Sequence, residues 1–173
     1  MDCSVSISGA AIITGAFHED KDINGANTVS NAGSVYFNTY NGNWNTQQKV
    51  AAVVRSGGDQ FGYYVSINGD YAIIGATTDK EDENGANPVT DAGAAYIFKR
   101  NTLTGIWEQQ QKLVATDREE GDWFGYTVAI NNTYAVVTAL YEDHDANGNN
   151  PFEAAGSAYI FERSGTVWTQ IQK

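Results

Sequence analysis

The chain has 173 residues, of which 42% are hydrophobic and 18% charged, so it is long enough for one packed domain and its composition excludes wholesale disorder. With a formal net charge of −11, the chain lacks the excess of basic residues that binding to nucleic acid or to an anionic membrane surface requires. No apolar run reaches the roughly 20 residues that cross a bilayer. The 18 glycines and 10 tyrosines beside only 2 prolines favour short strands joined by tight turns over a bundle of helices.

The first two predicted strands form a hairpin whose sequence recurs twice along the chain. Residues 5–16 read VSISGAAIITGA, residues 65–76 read VSINGDYAIIGA and residues 128–139 read VAINNTYAVVTA. Each copy predicts two short strands with a tight turn between them. In the second copy the turn is the Asn68-Gly69 dipeptide, which supplies the positive φ angles of a two-residue hairpin loop.

Two further blocks follow each hairpin and complete the repeat. The first has the pattern Ala-Gly-x-x-Tyr and begins at Ala32, Ala92 and Ala155. The second runs from a tryptophan to a Gln-Lys pair and begins at Trp44, Trp107 and Trp168. Both blocks are too short for helices and are bounded by glycine and asparagine, as expected of strands. In the middle repeat, the four predicted strands cover residues 61–67, 71–76, 93–100 and 107–114.

The repeat predicts an all-β chain of three tandem four-stranded antiparallel sheets, which are the blades of an incomplete or oligomer-completed β-propeller. The predicted blades span residues 1–60, 61–123 and 124–173 within a single repeat domain. A sandwich or barrel is the alternative, but such folds rarely repeat so regularly. The recurring tryptophans are expected to pack in a core or at an edge rather than to form platforms for sugars.

The junctions between the repeats carry the residues on which a family resemblance rests. Residues 58–63 read GDQFGY and residues 121–126 read GDWFGY, and a Gly75-Ala76 pair ends the strand that follows the first of them. This order resembles the FG-GAP repeats of integrin α-subunit propellers, and the tyrosine and tryptophan blocks resemble the bacterial surface proteins with such repeats. The resemblance implies a propeller, usually of seven blades, that binds ligands and mediates adhesion outside the cell.

Two positions depart from the pattern that the resemblance sets. Thr138-Ala139 stands where Gly-Ala is expected, and Met1-Asp2 stands where Phe-Gly is expected. The Phe ring is expected to fill the seam between blades, and the small residues to keep strands thin where sheets stack.

Propellers close with about four to eight blades. We therefore expect this chain to belong to a longer propeller, to pair with a second copy of itself, or to join an open assembly.

The negative charge is concentrated in the loop between the second and third strand of each predicted blade. These loops, at residues 17–31, 77–91 and 140–154, hold 12 of the 21 acidic residues and carry −10 of the net charge. The spacing D-x-[DN]-x-[DN]-G, typical of calcium loops, occurs in the first and third, and the middle loop lacks its first member. The predicted ligands of weakly bound Ca²⁺ are Asp20, Asp22, Asn24, Asp82, Asn84, Asp143, Asp145 and Asn147.

The alternative interpretation of this spacing is that the Asp and Asn side chains cap turns, because such side chains readily bond their own backbone. The loops are not EF-hands, since the twelfth position lacks the bidentate Glu and is Asn31, Asp91 or Ala154. In integrin propellers the calcium loops lie between the first and second strands. This chain has only short turns there, so those ligands have no counterparts in it.

The acidic loops and the junctions between blades are expected to emerge at the same end of the blades, which is the ligand-binding side in the resembling integrins. Trp123, Asp122 and Asp59 are the predicted contacts with a ligand or partner at this end. No nucleophile elbow, phosphate-binding glycine loop or histidine-based zinc motif occurs in the sequence.

These patterns together predict a non-enzymatic extracellular or cell-surface module for adhesion or for protein or glycan binding, with calcium-binding loops. A structural subunit of a self-assembling surface fibre or oligomer is the first alternative. A fragment of a catalytic propeller, such as a glycan-cleaving enzyme, is the second, and it would need one unique pocket of carboxylates rather than repeated acidic loops.

Overall fold

The computed structural model describes residues 3–149 and 152–173, and its regular structure is entirely β. No helix in this part of the chain is long and apolar enough to cross a membrane. The strands are β1 (Val5–Ser8), β2 (Ala11–Ala16), β3 (Ser34–Tyr40), β4 (Trp44–Val50), β5 (Val65–Asn68), β6 (Tyr71–Ala76), β7 (Ala94–Arg100), β8 (Trp107–Leu113), β9 (Phe124–Ile130), β10 (Tyr134–Ala139), β11 (Ser157–Ser164) and β12 (Val167–Gln172).

Consecutive strands pair antiparallel into three four-stranded sheets. Sheet 1 contains β1–β4, sheet 2 contains β5–β8 and sheet 3 contains β9–β12, with spatial order following chain order in each. This confirms the predicted fold of three tandem blade-like sheets. Over the described residues the sheets stack side by side and do not close into a ring.

The strand bounds of sheet 2 match the prediction closely except at its first strand. β6 covers the predicted residues, and β7 and β8 each differ from the prediction by one residue at one end. β5 begins only at Val65, because residues 62–64 form a turn and bends, while the preceding Phe61 forms a parallel bridge with Gly33 beside sheet 1. The Phe-Gly pair therefore belongs to the contact between sheets as much as to the strand that it introduces.

Two hydrophobic cores lie between the sheets. The core between sheets 1 and 2 joins Ile13 and Phe37 to Phe61 and Ile74, all with at most 1% of their surface exposed. The core between sheets 2 and 3 is built in the same way around Phe124, which is fully buried. Sheet 2 is thus covered on both faces, which explains why every residue of its β6 strand is buried.

Glycines let the sheets approach until their backbones touch. A Cβ atom added to Gly15 would lie 2.0 Å from the carbonyl oxygen of Gly62, and one added to Gly33 would lie 2.0 Å from that of Phe61. At the next seam, a Cβ on Gly75 would lie 2.0 Å from the carbonyl oxygen of Gly125. The Gly-Ala and Phe-Gly pairs of neighbouring repeats therefore fit together, and any side chain at these glycines would separate the sheets.

The outer strands are joined across each seam by a glutamine side chain. Gln48 of β4 accepts a hydrogen bond from the Trp107 N–H and donates one to the Trp107 carbonyl, each at 2.8 Å. Gln111 of β8 makes the same pair of bonds with Trp168 at 2.8 Å. The indoles of Trp107 and Trp168 are buried, which confirms the prediction of core packing for these two. Trp44 on the outermost strand of sheet 1 is instead 46% exposed and packs against Tyr40.

The Thr138-Ala139 pair, which stands where the repeat pattern predicts Gly-Ala, lies on the outer face of sheet 3. Thr138 occupies the register of Gly75, and its Oγ1 accepts a hydrogen bond from the Thr127 N–H at 3.0 Å. No further sheet packs on this face within the described part of the chain, and Val136 and Tyr134 on the same face of β10 are 36% and 42% exposed. A side chain fits here because no neighbouring carbonyl needs the space.

Candidate functional site

The loop edge is the end of the three sheets formed by the loops at residues 17–31, 77–91 and 140–154 (of which 140–149 and 152–154 are described) and by the junctions at residues 51–60 and 114–123. Each junction holds the loop that precedes it through an arginine. Arg55 donates hydrogen bonds to the carbonyl oxygens of Asp20 and Asn27, at 2.9 and 3.2 Å. Arg118 makes the equivalent two bonds to the middle loop. Loops and junctions therefore do meet at one end, as the sequence predicted.

In all three loops, the second Asp of the predicted calcium spacing caps a turn. Asp22 Oδ1 accepts hydrogen bonds from the Asn24 and Ala26 N–H groups, both at 2.9 Å. Asp82 and Asp145 accept the equivalent pairs of bonds at 2.9–3.0 Å. Donation from the backbone lowers the pKa of Asp22 and of Asp82, so both carboxylates are ionised in the folded loop.

The remaining predicted ligands are also placed by loop geometry. Asp20 Oδ1 accepts a hydrogen bond from the Asn31 N–H at 2.7 Å, and Asp143 Oδ1 accepts one from the Ala154 N–H at 2.6 Å. The twelfth positions, Asn31, Asp91 and Ala154, all have positive φ. The side chains of Asn24, Asn84 and Asn147 are exposed. The turn-capping alternative accounts for these bonds, and calcium binding by this spacing stays a prediction.

A lysine and a tyrosine hold one carboxylate at the base of each loop. In the middle loop, Lys112 Nζ lies 2.8 Å from Asp79 Oδ1, and the Tyr96 hydroxyl donates to Asp79 Oδ2. Burial raises the pKa of Asp79, and Lys112 opposes that shift. In the third loop Glu142 takes the place of Asp79 and is held by Tyr159 at 2.8 Å and by a lysine at 3.0 Å. The Lys of the Gln-Lys block is therefore a structural counter-ion.

The two carboxylates predicted to contact a partner are buried beneath the loop edge. Asp59 and Asp122 expose only 2% and 5% of their surface. Each accepts a hydrogen bond at 2.6 Å from the backbone N–H three residues earlier, which belongs to Ser56 or Glu119. Burial raises the pKa of Asp59 to about 7 and that of Asp122 to about 6. Their first role in the structure is to shape the junction turns.

Trp123, the third predicted contact, is only partly buried at the loop edge. Its φ angle is 55°, and the residue at the same register in the preceding junction, Gln60, has a φ angle of 57°. The indole packs edge-on against Tyr141, with ring centroids 4.9 Å apart. This pair presents aromatic surface beside the third loop.

Adjacent to these loops lies an aromatic groove that the sequence analysis missed. It is formed by Phe17, Tyr63, Tyr64 and Tyr126, with Tyr63 lying 5.0 Å from Phe17 and 5.7 Å from Tyr126 between ring centroids. Together with Cys3 and Ser4 these side chains line a cavity of about 260 Å³. The repeated Phe-Gly-Tyr order was the signal, because it places Tyr63 and Tyr126 at one register of neighbouring sheets.

Comparison with protein families finds the FG-GAP repeat twice in this chain, at residues 44–98 and 107–161, which is more than half of its length. Each match begins with the outer strand of one sheet and ends in the third strand of the next, so it includes one junction and one seam. A search of curated proteins gave no match.

Proposed function

Because the chain belongs to the FG-GAP repeat family, whose repeats suggest a β-propeller-like module, we propose that it is a non-enzymatic recognition module that binds glycans in the aromatic groove beside its loop edge. The observation that carries this proposal is the aromatic groove between sheets 1, 2 and 3. Tyr126 lies on β9, Tyr63 and Tyr64 lie in the bend just before β5, and Tyr64 remains 40% exposed. Rigid, partly exposed aromatic side chains in a concave surface are a usual design of a binding site.

The chemistry of the groove favours a neutral or amino-sugar glycan. The faces of tyrosine rings carry partial negative charge and attract the weakly positive C–H groups of a sugar ring. The neighbouring loops carry −10 of the chain's net charge, so they repel sulfated or uronic-acid chains and attract protonated amino groups. Recognition of cell-surface glycans outside the cell, and hence adhesion, is the function that this combination supports best.

Titration of the tyrosine and tryptophan fluorescence with short oligosaccharides tests the proposal. We expect saturable changes with neutral or amino-sugar oligosaccharides and none with sulfated ones. Tyr126→Ala is expected to weaken binding about tenfold, which corresponds to about 1.4 kcal/mol. The matched control is Tyr40→Ala, an aromatic side chain that is 50% exposed at the opposite end of sheet 1. Absence of binding across the panel, or equal loss in both variants, contradicts the proposal.

A structural role in a self-assembling surface layer is a second candidate, favoured by the outer faces of the stack. Val5 and Ile7 of sheet 1 are 64% and 62% exposed, and Val167 and Ile171 of sheet 3 are 55% and 53% exposed. A second copy of this chain, or further blades of a longer chain, would cover them. Sedimentation velocity separates the candidates: species far larger than a dimer favour assembly, and a monomer or dimer favours the recognition module.

A further inference from the structure

Three carboxylates from two different segments meet beneath the loop edge at the seam between sheets 1 and 2. Asp59 comes from the first junction, and Asp79 and Glu81 come from the middle loop. One carboxylate oxygen of each lies within 4.8 Å of the other two, and no other group of this kind is found among residues 3–149 and 152–173. Asp59 and Asp79 expose only 2% and 1% of their surface, so water does not screen their charges.

The protein's own donors satisfy this cluster only in part. Asp79 accepts from Lys112 at 2.8 Å, from the Glu81 N–H at 3.1 Å and from a buried tyrosine hydroxyl, and the Ser56 hydroxyl donates to Glu81 at 2.8 Å. Asp59 uses one oxygen, Oδ2, to accept from the Ser56 N–H, while its Oδ1 atom is buried and accepts no hydrogen bond. One ammonium group therefore faces three carboxyl groups, and the buried Oδ1 atom of Asp59 is left without a donor. A buried acceptor without a partner is costly unless something else binds it.

Comparison between the repeats shows that this excess of negative charge is particular to the middle one. The register of Glu81 is occupied by Lys21 in the first repeat and by His144 in the third. His144 Nδ1 lies 3.4 Å from Glu142 Oε1, so a basic side chain faces the loop carboxylate there. Where the other two repeats have a basic residue, the middle repeat has a third carboxylate.

We propose that Asp59, Asp79 and Glu81 form a binding site for a hard divalent cation, with Ca²⁺ as the best fit. All the side-chain ligands are oxygens, which Ca²⁺ and Mg²⁺ prefer over softer donors. Ca²⁺ accepts oxygens at about 2.3–2.6 Å in flexible geometry, so a single ion can join oxygens that are up to about 5 Å apart. This site is separate from Asp82, which caps the turn of the same loop, and from the exposed Asn84, and it does not depend on the proposed glycan binding.

The expected consequence of binding is a link across the first seam. Asp59 precedes the Phe61 that fills that seam, whereas Asp79 and Glu81 follow the β6 strand of sheet 2. A cation bound by all three would join the junction to the middle loop and would favour the stacked arrangement over the separated one. Binding to the folded state alone raises its stability by mass action.

The test uses the whole chain, freed of metal by a chelator and returned to buffer of constant ionic strength. Calorimetric titration with CaCl₂ is expected to give one site with a dissociation constant of about 10⁻⁴–10⁻³ M, the range of extracellular modules. In about 10 mM Ca²⁺ the melting temperature is expected to rise by about 3–10 °C. MgCl₂ at the same concentration is expected to have a smaller effect.

Three variants locate the ion. Glu81→Gln keeps the acceptor for Ser56 and removes one charge, and we expect it to bind Ca²⁺ at least tenfold more weakly. Glu83→Gln, an exposed acid two residues away, is the matched control and is expected to bind like the wild type. Asp82→Asn tests the alternative site within the loop and is also expected to leave binding unchanged.

Each contrary result overturns the proposal. A wild-type protein with neither binding heat nor a calcium-dependent rise in melting temperature has no such site. Equal binding by Glu81→Gln and the wild type excludes this cluster as the ligand set. Loss of binding in Asp82→Asn, with Glu81→Gln unaffected, moves the ion to the loop spacing. Glycan titrations repeated with and without Ca²⁺ keep this outcome separate from that of the aromatic groove.

Discussion

Replacing Gly75 by alanine tests whether backbone contact between sheets defines this fold. Gly75 lies inside β6 and does not have a positive φ, so alanine fits the strand conformation at this position. Alanine is disfavoured at this position only by steric overlap, because the added Cβ would lie 2.0 Å from the carbonyl oxygen of Gly125 and 3.1 Å from its carbonyl carbon. Both are backbone atoms of sheet 3, which no change of rotamer can move away.

The cost follows from the width by which the seam must open. Non-bonded Cβ and oxygen atoms need more than 3.0 Å, so sheets 2 and 3 must separate by about 1 Å, and such a gap forfeits about a quarter to a half of the dispersion energy across it. Complete burial of side chains such as Phe124, Val137 and Tyr159 is worth about 1.5–3 kcal/mol each. We therefore expect a loss of about 2–4 kcal/mol in the free energy of unfolding, which lowers the melting temperature by about 10 °C.

Thermal and urea unfolding followed by circular dichroism measure this loss. Gly57→Ala is the matched control, because that glycine also lacks a positive φ and its added Cβ would meet nothing closer than Ser30 O at 3.7 Å. The control is expected to change the free energy of unfolding by less than about 0.5 kcal/mol. If Gly75→Ala and Gly57→Ala unfold alike, the close approach of sheets 2 and 3 is not what the glycine is there to permit.

Two further predictions concern the outer strands and the buried junction acids. Gln111→Ala removes both hydrogen bonds to the Trp168 backbone, and it is expected to lower the free energy of unfolding by about 1–3 kcal/mol, whereas the exposed Gln47→Ala is expected to be neutral in the same urea titration. Because burial raises the pKa of Asp122 from 3.8 to about 6, its folded state holds a proton more tightly, and its contribution to stability falls as the pH rises between these values. Asp122→Asn removes this contribution, so its unfolding free energy relative to wild type is expected to rise across that window, and a constant difference would contradict the assignment.

The sequence alone was sufficient for the secondary structure and for the triplication. Strands and turns depend on neighbouring residues, so the short, nearly continuous apolar run of β6 and the Asn68-Gly69 turn predict a hairpin without any tertiary information. The same holds for the resemblance to FG-GAP repeats, because the order of the motifs is a property of the chain itself. Within sheet 2 the one misplacement larger than a single residue was the start of β5, because residues 62–64 form a turn and bends rather than a strand.

The candidate site could be predicted only in part. The acidic loops were identified correctly as one end of the stack, but the spacing of Asp22 or Asp82 is the same whether these carboxylates bind a cation or cap a turn. The choice depends on where nearby N–H groups point, and the structure shows that the loop backbone already donates to these oxygens. The sequence predicted Asp59 as an exposed contact because it lies in a polar junction, and only the structure shows that it is buried.

What the sequence determined was the repeating unit, because hydrogen bonding within a sheet and the turn preferences of glycine and asparagine act over a few residues. Only the tertiary structure decided how these repeating units contact one another. The backbone contact at Gly75, the tyrosine groove and the cluster of Asp59 with Asp79 each join segments from different parts of the chain. Such contacts depend on how closely two sheets stack, and that distance is set by the summed packing of both faces rather than by any local pattern.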